Sequence, residues 1–292
     1  MNGFINVLKP TAMSSHDVVN RLRRILMMKK IGHGGTLDPN AAGVLPVCVG
    51  KGTKLSELLM TGDKTYLFKL RLGIKTDTGD IYGQLLEEKP VTLAYSQNAI
   101  EQALLQLTGS IWQKPPIYSA LKMNGKKLYE YARKNQWVDI PKRNVMVYAL
   151  TLKHYCRNEL LIEAKVSKGT YIRTLCEDIA QALGTIGTMS MLIRTEAKNL
   201  SIDTSYTLEE ISNEFLLGDN RFLLQYDQVF PWEKVMLEDN LIERLLHGQV
   251  VSLNDIGMNP IEHFFIVDKK HTIIGTGLIK ENQGVKIDKR LF

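Results

Sequence analysis

The stretch KTYLFKLRLG, Lys64 to Gly73, limits the fold more than any other segment. Tyr66, Phe68, Leu70 and Leu72 alternate with Leu67, Lys69 and Arg71. A period of two means one face is buried and the other is not, which is the pattern of a strand in a half-covered sheet. Two further strands are expected near Val145–His154 and Leu160–Val166. Between and around these runs the period changes to that of a helix. Ser14 with Asp17 reads as a capping box ahead of Val18, Leu22, Ile25 and Leu26. A helix is predicted from about Ser96, with Ile100, Ala103, Leu104 and Leu107 on one face and Gly109 as its stop. Ile172, Leu175, Ile179 and Leu183 mark another, ending near Gly184. Strands mixed with isolated helices, without regular βαβ alternation, imply an α+β fold with a mainly antiparallel sheet.

The 292 residues suffice for one large domain, or a large and a small one. The pattern shifts near residue 240. After a short helix at Leu241–His247, the tail HFFIVDKKHTIIGTGLIKENQGVKIDKRLF reads as two or three short strands. Such an appendage is too small for a stable core unless it packs on the main body. The expected organisation is a body at 1–240 and a small β-rich domain at 241–292. No window approaches the roughly 18 apolar residues of a membrane helix, and MNGFINVLKP has no basic lead-in or cleavage site. Cys48, Cys156 and Cys176 are odd in number and widely spaced, a poor set for disulfides or zinc. A cytoplasmic, reducing location is expected.

The chemistry starts from GHGGTLDPNAAGVLP, where Asp38 is the lone acid in a chain of net charge +6. Asp-Pro suits a helix start, with Asp38 as N-cap and Pro39 at the first helical position. It equally suits a carboxylate presented on a loop, since flanking glycines let a substrate approach and Pro39 biases Asp38 toward extended backbone. Arg173 falls in the first turn of its helix, where the dipole disfavours a cation. Its local partner is Glu177, in the weaker i,i+4 order; a carboxylate from elsewhere, Asp38 among them, is the alternative. Tyr66 opens the apolar face of its strand and is explained by packing as well as by function. His33 sits between Gly32 and Gly34, without a neighbouring histidine or cysteine to suggest a metal site.

Residues 111–137 carry Lys114, Lys122, Lys126, Lys127, Arg133 and Lys134 against one acid, Glu130. Trp112, Tyr118, Tyr129, Tyr131 and Trp137 are interleaved with them. Basic groups neutralise phosphates and aromatic faces stack on unpaired bases, so nucleic acid is the expected partner. Two readings fit: an enzyme using Asp38, and a non-catalytic RNA-binding or RNA-chaperone protein. A glycoside hydrolase requires two carboxylates flanking the bond, and Asp38 has no acidic partner in its own motif.

Five blocks taken together resemble the TruB-type tRNA pseudouridine(55) synthases over essentially the whole length. They are NVLKPTAMSSHDVVNRLRRIL, GHGGTLDPNAAGVLPVCVGKGTK, DKTYLFKLRLGIKTDTGDIYG, PPIYSALKMNGKKLYEYAR and SKGTYIRTLCEDIAQALG. The resemblance implies an α+β fold on a mixed, mainly antiparallel sheet with flanking helices, and a small C-terminal β-rich domain similar to the RNA-binding PUA type. It implies conversion of a uridine in the TΨC loop of tRNA to pseudouridine, with base flipping, no metal and no organic cofactor. It matches Asp38 to the catalytic aspartate, Tyr66 to the active-site tyrosine and Arg173 to the arginine paired with the acid. It also matches His33 to a histidine associated with the flipped base, and Asp80 and Leu192 to further pocket positions. Lys114, Lys122, Lys126 and Lys127 are then expected to bind the T-arm of the tRNA. A monomer is expected, since no sustained heptad signals assembly.

Overall fold

The computed structural model describes residues 1–292 except 92–94, 120, 135, 257–262 and 281–283. Lys64–Leu72 is a strand whose alternate residues are buried from Lys64 through Leu72. It lies near the middle of the main sheet. Its neighbours are Glu159–Val166 on one side and Gly187–Ala197 on the other, both antiparallel. The first side continues through Arg143–Cys156 to Gly109–Gln113. The second continues through Ala42–Val49 and Gly3–Lys9 to the short strand Leu223–Leu224. Only the pairing of Gly187–Ala197 with Ala42–Val49 is parallel along this path, at Ile193–Ala42 and Arg194–Gly43. The sheet is thus mixed and mainly antiparallel, as the strand pattern and the resemblance implied.

Helices cover it where the periodicity placed them. Ser15–Ile25 begins at a reciprocal Ser14–Asp17 capping box and buries Val18, Val19 and Leu22 against Ile5, Val7, Leu45 and Val47. Gln97–Gln106, capped by Ser96, and Ile172–Ala182 pack Ile100, Leu104, Leu175 and Ile179 on Phe68, Leu70, Leu160 and Ile162. Gly109 and Gly184 both take positive φ just beyond the helices they end. Asp38 is a correction to the helix-cap expectation. No helix follows it; Asp38–Ala41 is a single turn closed by Ala41 N–H to the Asp38 carbonyl at 3.0 Å. Asp at the first position and Pro at the second serve a turn as well as they serve a helix start.

The C-terminal sheet runs Glu233–Met236, Phe264–Val267, Ile273–Lys280 and Gly284–Arg290 in spatial order. Its first strand lies before residue 240, so this sheet begins at Glu233 rather than after the expected boundary. Phe264 and Ile266 face a core of their own with Val235, Ile242, Val251 and Val285, while Phe265 and Val267 pack on Phe4, Tyr226 and Phe230 of the body. The expected short helix is Asp239–Leu246, and a further helical turn, Leu253–Ile256, follows it before the second strand.

Candidate active site

Asp38 lies in the segment Gly34–Ala41, and three buried side chains fix that segment from below. Lys9 Nζ donates to the carbonyls of Ala41 at 2.7 Å, Pro39 at 3.1 Å and Pro10 at 2.7 Å. Ser15 bonds both backbone groups of Leu37, its hydroxyl donating to the carbonyl at 3.1 Å and accepting from the N–H at 2.9 Å. Arg194 donates to the carbonyls of Val44 at 2.7 Å and Thr36 at 3.4 Å. Lys9 and Arg194 are essentially inaccessible to solvent. A backbone held at Thr36, Leu37, Pro39 and Ala41 leaves the Asp38 side chain little freedom, the arrangement a positioned carboxylate requires. Gly43 closes the packing: a Cβ there would lie 2.2 Å from the Arg194 carbonyl oxygen.

Arg173 reaches that carboxylate from the first turn of helix Ile172–Ala182. Its Nε lies 3.1 Å from Asp38 Oδ2 and its Nη2 3.5 Å from Oδ1. Nη1 donates to the Thr78 carbonyl and Nη2 to the Tyr118 carbonyl, each at 2.9 Å. The guanidinium is buried, whereas 39% of the Asp38 side chain remains exposed. The arginine is therefore the fixed partner and the acid the accessible one. Burial raises the pKa of Asp38, Arg173 opposes the rise, and Asp80 adds to it. Glu177, the local i,i+4 partner offered by the sequence, makes no ion pair with Arg173 among the described residues; Asp38, the alternative from elsewhere in the chain, does.

A cavity of about 360 Å³ opens over the acid. Asp38, Tyr66, Arg173 and Leu192 all line it, joined by Tyr171, Lys64 and Arg194. Tyr66 and Leu192 are nearly buried, on adjacent strands, and supply an apolar wall. The geometry thus gathers four of the sequence candidates. His33 and Asp80 are not among the lining residues. His33 ends the strand Ile31–His33, paired with Val47, and burial lowers its pKa. Asp80 accepts from the Thr78 hydroxyl and the Tyr82 N–H, both at 3.0 Å. It shapes the loop that lends the Thr78 carbonyl to Arg173.

Segment 111–137 is tied to the site at three points. Gln113 Oε1 accepts from the Tyr171 N–H at 3.1 Å, the Lys114 carbonyl accepts from Thr174 at 3.4 Å, and Tyr118 supplies its carbonyl to Arg173. Beyond Tyr118, Lys122–Met123 and Lys126–Lys127 form a hairpin across Asn124 and Gly125, both at positive φ. The side chains of Lys114, Lys122 and Lys126 are exposed, and Lys127 lies 5.5 Å from the Tyr129 ring centroid. Trp112 and Trp137 are exposed as well. These lysines border the site without entering the cavity. Among the described residues no group of three or more His, Cys, Asp or Glu is placed to hold a metal ion.

Sequence reasoning passed over Lys9, Ser15, Lys64, Tyr171 and Arg194. Lys9 and Lys64 sit in NVLKP and DKTY, but a buried lysine is spelled like an exposed one. The one available signal was that Lys64 falls on the same alternating face as Tyr66 and Phe68.

Fold and site define an enzyme with one arginine-clamped carboxylate at the mouth of an aromatic pocket. The comparisons agree with that class. Residues 23–172 match the model of the TruB family pseudouridylate synthase N-terminal domain, and residues 173–236 match the tRNA pseudouridylate synthase B C-terminal domain. The chain is 44% identical to the tRNA pseudouridine synthase B of Caldanaerobacter subterraneus, across 100% of this chain and 99% of that relative. It is equally 44% identical to the tRNA pseudouridine synthase B of Clostridioides difficile, with 99% of each covered. The fold superposes on a chain of a Cbf5-Nop10-Gar1 complex with a TM-score of 0.76 at 24% identity, covering 99% of this chain and 85% of that one. The chain belongs to the TruB family of pseudouridylate synthases.

Proposed function

We propose that this protein isomerises one uridine of tRNA, at position 55 in the TΨC loop, to pseudouridine, with Asp38 as the catalytic carboxylate. The observation that carries this reading is the Asp38–Arg173 pair beside Tyr66, in a cavity open to solvent. Isomerisation breaks the N1–C1′ bond and forms C5–C1′; the proton on C5 is lost and N1 gains one. Nothing is oxidised and no group is imported. A base inside a folded loop must first be extruded, at an unstacking cost of a few kcal/mol. Tyr66 and Leu192 then offer apolar surface to the base, and Asp38 acts at the ribose as nucleophile or as base. Arg173 keeps the acid ionised and oriented while burial works against its charge.

The exposed lysines of segment 111–137 grip the T-arm, His33 helps fill the space the base leaves, and the C-terminal sheet from Glu233 serves as a second RNA-binding unit. The protein acts as a monomer in the cytoplasm. Tritium release from a tRNA transcript labelled at uridine C5 tests the core of this reading. Release by the wild type and none by Asp38→Asn, with tRNA binding retained, is expected. Turnover by Asp38→Asn near the wild-type rate removes the nucleophile role. No release by either protein, with binding intact, favours the non-catalytic RNA-binding reading.

A further inference from the structure

The cavity holds a second charged feature besides the Asp38–Arg173 pair. Lys64 opens the strand that carries Tyr66, shares its face, and is 9% exposed. Two of its ammonium protons go to the carbonyls of Met60, at 2.7 Å, and Gly62. Among the described residues no third acceptor meets it, and both Lys64 and Met60 line the cavity. The strand register brings further cations to the same place. Lys64 pairs with Val166, so the loop Ser167–Thr170 begins beside it, and Ser167, Gly169 and Thr170 line the cavity around exposed Lys168. On the other side Lys64 pairs with Ala197, and Arg194 pairs with Tyr66. Arg194 Nη2 is buried without a hydrogen-bond partner. The charged groups bearing on Lys64 are Arg194, Lys168 and Lys198, with Asp63 as the one acid. Asp63 is itself engaged by the Tyr148 hydroxyl at 3.1 Å, and Lys198 by the Leu58 carbonyl and the Phe230 ring. Lys64 and Asp38 both line the cavity, and no hydrogen bond or ion pair joins them among the described residues.

A desolvated ammonium with a spare proton, flanked by like charges, is stabilised by an anion that meets that proton. A nucleotide whose base lies against Tyr66 carries a phosphate on either side, and Lys64 lies two residues from Tyr66 on the same face of the strand. We propose that Lys64 and Lys168 form a phosphodiester subsite that takes the backbone phosphate adjoining the nucleotide in the pocket, an inference that rests on the function proposed above.

The test is binding of a T-arm stem–loop in which one linkage at a time, on either side of the target uridine, is replaced by a neutral methylphosphonate. Lys64→Met is expected to weaken binding about tenfold or more. It should also flatten the slope of log K against log salt by about 0.7 to 0.9, one phosphate's share. One methylphosphonate position should cause the same loss with the wild-type protein, and variant and modified RNA combined should lose no more than either alone. Additive losses at every position, or unchanged affinity and slope in folded Lys64→Met, overturn the subsite. Lys168→Ala, on an exposed loop, repeats the cycle without disturbing the interior, so a Lys64 variant that fails to fold leaves the decision with that cycle and the wild-type series. Tritium release by the wild type on unmodified RNA is read in parallel. Its absence counts against the proposed function, whereas its presence with no phosphate coupling counts against the subsite alone.

Discussion

Asp38 and Arg173 divide one task between them. In the proposed reaction the acid must be reachable, and it stands at the mouth of the cavity; the arginine that steadies it need not be, and is buried. Arg173 meets the carboxylate and two backbone carbonyls with one planar group, which an ammonium cannot reproduce. Arg173→Lys keeps the charge but leaves either Thr78 or Tyr118 without its donor and shifts the acid. A single-turnover rate loss on the order of 100-fold is expected, with RNA affinity little changed. Wild-type kinetics in this variant would remove the ion pair from the mechanism. The pH dependence follows from the same pair. Burial raises the Asp38 pKa above its ordinary 3.8, so the ionised form that the proposed role uses is lost as pH falls through that raised value. The acid limb of the single-turnover profile should lie above pH 3.8 and move to higher pH in Arg173→Met, where the opposing charge is gone. A limb that stays in place shows that another group controls the rate. At this scale the sequence offered Asp38, isolated among small residues, as a helix cap or as a carboxylate on a loop, and the structure places it on a turn. The sequence was silent on Lys9, Lys64 and Arg194, because nothing local separates a buried cation from a solvated one.

Strands and helices that obey a local period were read correctly: Lys64–Leu72 by its alternation, and Ser15–Ile25 and Gln97–Gln106 by their serine caps. The loop between Gly34 and Ala41 was not, because its form is set by contacts from Lys9, Ser15 and Arg194, which lie far away in the chain. The order of the strands is likewise a property of pairings between distant segments, such as Ile193 beside Ala42. Lys9 makes the loop's dependence measurable. Burial pulls its pKa from 10.5 down to about 8. The folded state then binds fewer protons than the unfolded chain between those values, so stability rises with pH across the window and the cost is fully present below about 8. Lys9→Met has no such titration. It should be destabilised relative to wild type at pH 7, for want of donors to Pro39 and Ala41, and the gap should widen from pH 8 to 10. Urea unfolding at pH 7, 8 and 10 reads this directly. A gap that is constant or narrows with pH means that Lys9 is not held as a buried ammonium.

The two sheets meet across one strand that serves both. Along Phe264–Val267 the alternation sends Phe264 and Ile266 into the C-terminal core and Phe265 and Val267 against the body, where Leu291 joins them. The sequence suggested that the tail needs the body; the register shows how a four-residue strand meets that need. The seam is more than apolar. Tyr226 donates from its hydroxyl to the Leu291 carbonyl at 3.3 Å, and Lys54 Nζ to the Arg290 carbonyl at 2.7 Å. Trp232 lies among Phe230, Phe265 and His263. Truncating either phenylalanine to alanine removes a buried ring and should cost about 3–5 kcal/mol at its own site. The consequences should differ in reach. Phe264→Ala weakens the C-terminal core alone, so amides in Ile273–Lys280 and Gly284–Arg290 should exchange faster while those in Lys64–Leu72 keep their protection. Phe265→Ala also opens a cavity against Phe4 and Phe230, so protection should fall in Gly3–Lys9 as well. Hydrogen exchange resolved by segment separates the two patterns. Identical losses across every strand in both variants would mean that the sheets unfold as one unit, and that the RNA-binding role proposed for the C-terminal sheet cannot be altered without altering the catalytic body.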